Sequence, residues 1–341
     1  VRPDRKAQTV DGGMAPDHRP RSPAHWLAIL LCLFPLTFSV CQPRRNVTLA
    51  LLGDINLGRG VRPSADTFGF LTPHLRAADL ALANLESPLS SDPPARKTGD
   101  GYNLCAPAAP AEILAEWGLD LLSIANNHRF DCGSEGPSET SALLEEAGLT
   151  AIGLADEAVV RQVDGLTLAF LAFDDLSFPL DAGAAAQSIR AARENGALVI
   201  VSVHWGAEYQ AAPTNRQQAL ARQFAAAGAT LIWGHHPHVL QPAVWLEAEQ
   251  GKTLVFYSLG NALFDQHGMA DTRRSALALV TLGEKGVTKV NIMPFEIDVV
   301  HSRVTFPAPE SRMKIRKRVG VEEEKQPWPP RPDGTLPKIR F

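Results

Sequence analysis

From about residue 45 onward the chain alternates short apolar runs, rich in β-branched residues, with helical stretches of ten to fourteen residues. This alternation constrains the fold more than any other feature. A helix placed between two strands gives the long crossover that parallel strands require, so the pattern predicts an α/β architecture with much parallel sheet. The runs Val47–Leu52, Asp79–Ala83, Leu119–Ile124, Leu166–Phe173, Leu198–Val203, Thr230–Trp233 and Thr253–Leu259 read as strands. Pro107–Trp117, Ser138–Ala147, Ala182–Asn195 and Asn215–Ala227 read as helices. Ala276–Leu282 and Val287–Met293 flank Gly283-Glu284-Lys285-Gly286, which predicts an antiparallel hairpin closing the fold. From about Pro307 the chain is rich in proline and charge, and a segment on the surface or without order is expected. The basic run Lys314 to Arg318 within it reads as solvated.

Polar residues collect where the strands end. Gly53-Asp54-Ile55-Asn56 follows the first strand, Asn84-Leu85-Glu86 the second and Asn126-Asn127-His128 the third. Later strands run into His204-Trp205-Gly206, Gly234-His235-His236-Pro237-His238 and Gly260-Asn261. Ligand sites of α/β sheets lie beyond the carboxyl ends of the strands, so six strands deliver Asp, Glu, Asn and His to one rim. Five of the ten histidines of the chain fall in these motifs.

The residue types indicate the chemistry. Asp54 and Glu86 offer carboxylate oxygens, Asn127 an amide oxygen, and His204, His236 and His238 imidazole nitrogens. This mixed set suits Mn, Fe or Zn better than calcium and lacks the thiolates of structural zinc sites. One divalent ion, or two about 3.5–4 Å apart as in phosphoryl-transfer sites, is the expected cofactor. His128 would remain unligated as a general acid, and Arg59 would neutralise an anionic substrate. On an extended segment His236 and His238 point the same way and His235 away, so His235 is expected to be structural. Taken singly, each residue has a plainer reading: Asp54 as a cap, Glu86 on the surface, His128 and His204 as hydrogen-bonded structural groups.

The net charge of −4 and the scattered basic residues argue against a nucleic-acid partner. Residues 1–45 are expected to be a polar segment followed by an export signal or anchor. Trp26–Cys41 is apolar and uncharged, shorter than the roughly 20 residues of a membrane-spanning helix, and preceded by Arg19 and Arg21. Cleavage, an uncleaved anchor and lipidation at Cys41 all stay open, and each places the protein outside the cytoplasm. There Cys105 and Cys132 could pair as a disulfide or remain two buried thiols.

The ordered motifs Gly53 to Arg59, Asn84 to Pro88, Ala125 to His128 with Asp131 and Gly133, His204 to Tyr209, Gly234 to His238, Tyr257 to Asn261 and Phe264 to Gln266 closely resemble the CapA family of poly-γ-glutamate capsule biosynthesis. The resemblance covers about residues 47–300. It implies a calcineurin-like metallophosphoesterase fold, a four-layer αββα sandwich, over a domain set at 46–306 with a tail at 307–341. It also implies metal ligation by Asp54, Glu86, Asn127, His204, His236 and His238, with His128 catalytic and Arg59, Asn56 and Asn261 facing the substrate. The usual Asp-x-His opening reads Asp54-Ile55-Asn56, which weakens one metal position. The implied partners are an anionic envelope polymer or phosphoester, a capsule synthesis or export complex, and the membrane through the N-terminal segment. The implied activity is metal-dependent hydrolysis, or else polymer binding without catalysis.

Overall fold

The computed structural model describes residues 46–94, 102–155 and 157–320. The first part of the fold contains β1 (Asn46–Ile55), α1 (Thr72–Ala77), β2 (Leu80–Leu85), β3 (Leu89–Ser90), β4 (Ala106–Pro107), α2 (Ala111–Glu116), β5 (Leu121–Ser123), α3 (Gly136–Glu146) and β6 (Thr150–Ile152). The second part contains β7 (Val159–Val163), β8 (Leu166–Asp174), α4 (Ala182–Glu194), β9 (Leu198–His204), α5 (Asn215–Ala227), β10 (Ala229–His235), β11 (Ala243–Ala248) and β12 (Gly251–Phe256). The chain closes with β13 (Asn261–Leu263), β14 (Arg274–Gly283), β15 (Gly286–Asp298), β16 (Arg303–Thr305) and α6 (Pro309–Val319).

Two sheets form. The larger runs β16-β15-β14-β1-β2-β5-β6, with β13 also pairing β1, and the smaller runs β11-β12-β10-β9-β8-β7. β1–β2–β5–β6 and β8–β9–β10–β12 are parallel, and β14–β15 is the expected antiparallel hairpin. The inner faces meet in one apolar layer in which Leu49, Leu51 and Leu82 oppose Leu168, Phe170 and Trp233. Helices α1–α3 cover the outer face of the large sheet around Trp117, and α4 and α5 that of the small sheet around Phe224. This is the four-layer αββα sandwich. Two polar ties cross the apolar seam: Trp233 Nε1 donates to the Leu52 carbonyl at 2.9 Å, and Ser202 donates to Ser123 at 2.9 Å.

α5 shows why the sequence folds locally as it does. Thr214 and Gln217 form a reciprocal capping box, and Gly228 ends the helix with φ of 104°. Gly53 has a different task. Where β13 joins β1, a Cβ at this position would stand 1.8 Å from the Gly260 carbonyl oxygen, so only glycine lets the two strands approach.

Three local expectations change. The helix beginning at Pro107 is reduced to Ala111–Glu116, because Ala106-Pro107 forms a short strand with β3. The strand expected over Thr253–Leu259 occupies Gly251–Phe256, and Ser258 to Gly260 form the link to β13. The basic run Lys314–Arg318 lies within α6, whose Ile315 and Val319, one turn apart, are buried against the inter-sheet core. The apolar stretch Trp26–Cys41 lies outside the described residues. Among those residues no helix is long and apolar enough to cross a membrane.

Cys105 and Cys132 are joined as a disulfide. It sits beside a second tie, in which Leu104 N–H donates to Asp131 Oδ2 at 2.6 Å and Asn103 Nδ2 to the Asp131 carbonyl at 2.8 Å. With a sequence separation of 27 between the cysteines, a Cys105→Ser, Cys132→Ser variant is expected to lose about 3 kcal/mol of stability, chiefly through a freer unfolded chain. Denaturant titration of the oxidised protein and the variant checks this; equal midpoints would contradict it.

Candidate metal centre

Asp54 is fully buried near the end of β1. Both of its oxygens are engaged. Oδ1 accepts from Asn84 Nδ2 at 2.8 Å and lies 3.2 Å from His235 Nδ1. Oδ2 accepts the His236 N–H at 3.2 Å and lies 3.5 Å from His238 Nδ1. Burial alone would raise its pKa, but the His235 and His238 imidazoles outweigh it and hold the carboxyl well below the usual range.

Glu86 follows β2 and is equally buried, yet neither of its carboxylate oxygens has a hydrogen-bond partner. Around Oε1 stand three imidazole Nε2 atoms: His238 at 3.7 Å, His128 at 3.8 Å and His204 at 3.9 Å. Burial pushes the carboxyl up to about 7, with His238 opposing and the Asp54 charge reinforcing the shift. Other unpaired buried atoms are Asn127 Oδ1, after β5, His204 Nε2, at the end of β9, and His236 Nδ1, just past β10. Asn84, whose Nδ2 serves Asp54, keeps its Oδ1 unpaired, and both ring nitrogens of His235 are without a hydrogen-bond partner as well. Folded proteins rarely leave so many buried polar atoms unsatisfied, because each costs about 1–3 kcal/mol. A carboxylate, amide oxygen and imidazoles in this condition are a donor set suited to a divalent cation. Glu86, His236 and His238 alone place their ligand atoms within 4.8 Å of one another.

The histidines are tuned apart. Burial and the neighbouring His236 lower His204 far below the ordinary value, and burial with His238 nearby lowers His236 to about 3. Both are therefore neutral and ready to ligate at any working pH. His238 is also desolvated, but Glu86 and Asp54 reverse the effect and raise it to about 9. Glu86 must be ionised to hold a cation, and below pH 7 it is increasingly protonated. Cation affinity is thus expected to fall below pH 7 with a slope that approaches about tenfold per pH unit, with proton release on binding. Calorimetry at about pH 5.5, 6.5 and 7.5 in buffers of different ionisation enthalpy measures both quantities; pH-independent affinity would contradict this.

His128 is partly exposed. Its Nδ1 meets Asp131 Oδ2 at 2.8 Å, while Nε2 faces Glu86. Asn126 shapes that loop, its Nδ2 donating to the Leu85 carbonyl and its Oδ1 accepting the His128 N–H. Arg59 pairs with Asp265 and lies over the Phe264 ring, which packs 4.8 Å from His238. Tyr209, 40% exposed, sits 6.1 Å from His238 at the same mouth.

Four residues lie differently from the sequence reading. Asn56 is fully buried; its Oδ1 accepts the Gly58 N–H and its Nδ2 donates to Asp265, which closes a turn and uses the amide. Asn261 is fully buried as well. It accepts from His238 Nδ1 at 2.9 Å and donates to Gln266 and the Thr272 carbonyl, so it braces His238 and does not face a substrate. His236 and His238 converge, but not along an extended strand, because their φ angles are 93° and 57°. His235 packs edge-on to Trp233 and reaches Asp54. The contributions of Asn84 and Asp131 went unassigned in the sequence. Both stand inside the motifs, but only the fold shows that they serve Asp54 and His128.

Residues 48–266 match the family described as bacterial capsule synthesis protein PGA_cap. The chain belongs to this family. It is 31% identical to the PGA biosynthesis protein CapA of Bacillus subtilis, over 81% of this chain and 77% of that one. It is 32% identical to the capsule biosynthesis protein CapA of Bacillus anthracis, over 75% and 69% respectively. Among solved structures, a hypothetical protein from Thermus thermophilus aligns with a TM-score of 0.50 at 17% identity, over 73% of this chain and 99% of that one. That likeness concerns the fold alone.

Proposed function

We propose that this protein acts in making or exporting an anionic poly-γ-glutamate-type polymer of the cell envelope, using a cation-dependent hydrolytic site at the rim of its sheets. The single observation that carries the catalytic part is the buried, unpaired donor set on Glu86, Asn127, His204 and His236. The polymer assignment rests on relatives whose names refer to PGA and capsule biosynthesis. Glu86, His236 and His238, with Asn127 and His204, would hold Mn, Fe or Zn. A bound cation would supply Lewis acidity toward a phosphoryl or carbonyl oxygen.

The chain's own residues provide the rest. Asp131 fixes one ring nitrogen of His128 and leaves Nε2 directed at the cluster, where it can hand a proton to a leaving oxygen or nitrogen. Arg59, steadied by Asp265 and Phe264, offers positive charge to an anionic substrate at the mouth. The Cys105–Cys132 disulfide supports a location outside the cytoplasm, with Trp26–Cys41 as export signal or membrane anchor.

A second reading has one observation in its favour. The residue that would replace the missing histidine, Asn56, is closed into a turn, which suits a polymer-binding component of a synthesis or export complex without turnover. Metal analysis of the full chain, paired with hydrolysis assays on a phosphomonoester, a phosphodiester and γ-glutamyl oligomers, separates the two. Metal with turnover of any of these supports catalysis. Polymer binding with neither metal nor turnover leaves only the binding role.

A further inference from the structure

The two buried carboxylates of the cluster differ in how the protein meets their oxygens. Both oxygens of Glu86 are without partners, as are Asn127 Oδ1, His204 Nε2 and His236 Nδ1, and, beside Asp54, Asn84 Oδ1 and the two ring nitrogens of His235. The oxygens of Asp54 itself are satisfied from within the protein. Both its oxygens are engaged by Asn84, His235, the His236 N–H and His238. His238 Nδ1 is taken up by Asn261, and Asn56 is closed onto Gly58 and Asp265. A cation seated at Glu86 would fill open valences. One seated at Asp54 would have to displace bonds already made, in a pocket with no imidazole at position 56 to replace them.

Resting on the reading of this rim as a cation site, we infer that the chain holds one resident divalent cation, centred on Glu86 with His204, His236 and Asn127, and none at Asp54. Asp54 is then a positioning residue. It receives His235, the His236 backbone and His238, and so sets the path of the turn that brings His236 and His238 to Glu86. That turn needs an outside hold, because His236 and His238 both adopt positive φ, which side chains other than glycine seldom take. Carboxylates that receive a ligand's far nitrogen commonly tune metal affinity by about 10- to 100-fold without touching the ion.

The test is metal stoichiometry, which does not depend on knowing the substrate. Full-length protein is stripped with chelator, loaded with Mn²⁺ or Zn²⁺, freed of excess and analysed by plasma mass spectrometry, with affinity measured by competition against a chromogenic chelator. The expected result is about one ion per wild-type chain, and about one in Asp54→Asn with affinity reduced about 10- to 100-fold. His204→Ala should retain less than about a tenth of an ion under the same conditions. Circular dichroism and thermal melts confirm that each variant is folded. Asp54→Glu serves in place of Asp54→Asn if the latter is not, with the same expected stoichiometry. Two ions per wild-type chain would overturn this inference and leave the hydrolytic reading standing, as would loss of the ion in the folded Asp54 variant. No ion in the wild type would overturn both.

Discussion

Glu86→Gln is expected to remove cation binding while making the metal-free protein more stable at alkaline pH. The substitution keeps shape and deletes a charge. In the native protein both oxygens are buried and unpaired, and burial raises the pKa from 4.5 to about 7. A carboxyl whose folded pKa is raised carries no penalty below its unfolded value. The penalty accumulates as pH rises from the unfolded value to the folded one and is complete above the latter. At about pH 8 the charge therefore opposes folding by roughly 3 kcal/mol, less the support it gives protonated His238, and the neutral amide should recover roughly 1 kcal/mol, since its own NH₂ also needs partners. At about pH 4.5 the gain should vanish. Cation affinity should fall at least about a hundredfold, because the central anionic ligand is gone. Thermal melts with chelator at those two pH values, together with metal competition, measure both effects. Lower stability of the variant at the alkaline pH without metal would show that Glu86 is held by something other than a cation.

His128→Ala should leave the metal content near wild type and reduce turnover about 10²- to 10⁴-fold on whichever substrate the full chain hydrolyses. The imidazole is anchored by Asp131 at 2.8 Å on one side, and its other nitrogen lies 3.8 Å from Glu86. It is also more open to solvent than His204 or His238. These features suit a group that exchanges protons with the medium better than one that ligates. The loss should be smaller for a substrate whose leaving group is already acidic, such as a nitrophenol ester, because that group needs no proton. Equal losses on acidic and basic leaving groups, or a parallel loss of metal, would place His128 among the ligands instead.

Much of this arrangement could be read in the sequence, because two periodicities are strong there. Apolar runs ending in Asp54, Glu86, His204 and His235 placed those residues at strand ends, and parallel strands leave no other place for ligands. What could not be read depends on contacts between distant segments. That Asn84 serves Asp54 and Asp131 serves His128 follows from side-chain directions that no spacing rule supplies. The prediction that His236 and His238 share a face was right about their convergence and wrong about its geometry. Positive φ at both positions, not strand alternation, turns them to Glu86. Helix α6 escaped notice because its charged residues mask a two-residue apolar contact through Ile315 and Val319.

The pairing of β1 with β14 has a consequence for how the protein matures. Asn46 to Leu51 are aligned with Gly283 to Ala278, and Asp54 with Asn261, so although β2 pairs with one edge of the first strand early, its other edge waits for partners made more than two hundred positions later. Contacts of such sequence separation form slowly, since a long loop must close before any of them is rewarded. If the proposed cation site is filled, it would be filled after synthesis of the hairpin, once β1 is held on both sides. The ion available at that stage, rather than the one most tightly bound in principle, would then decide which element fills the proposed site.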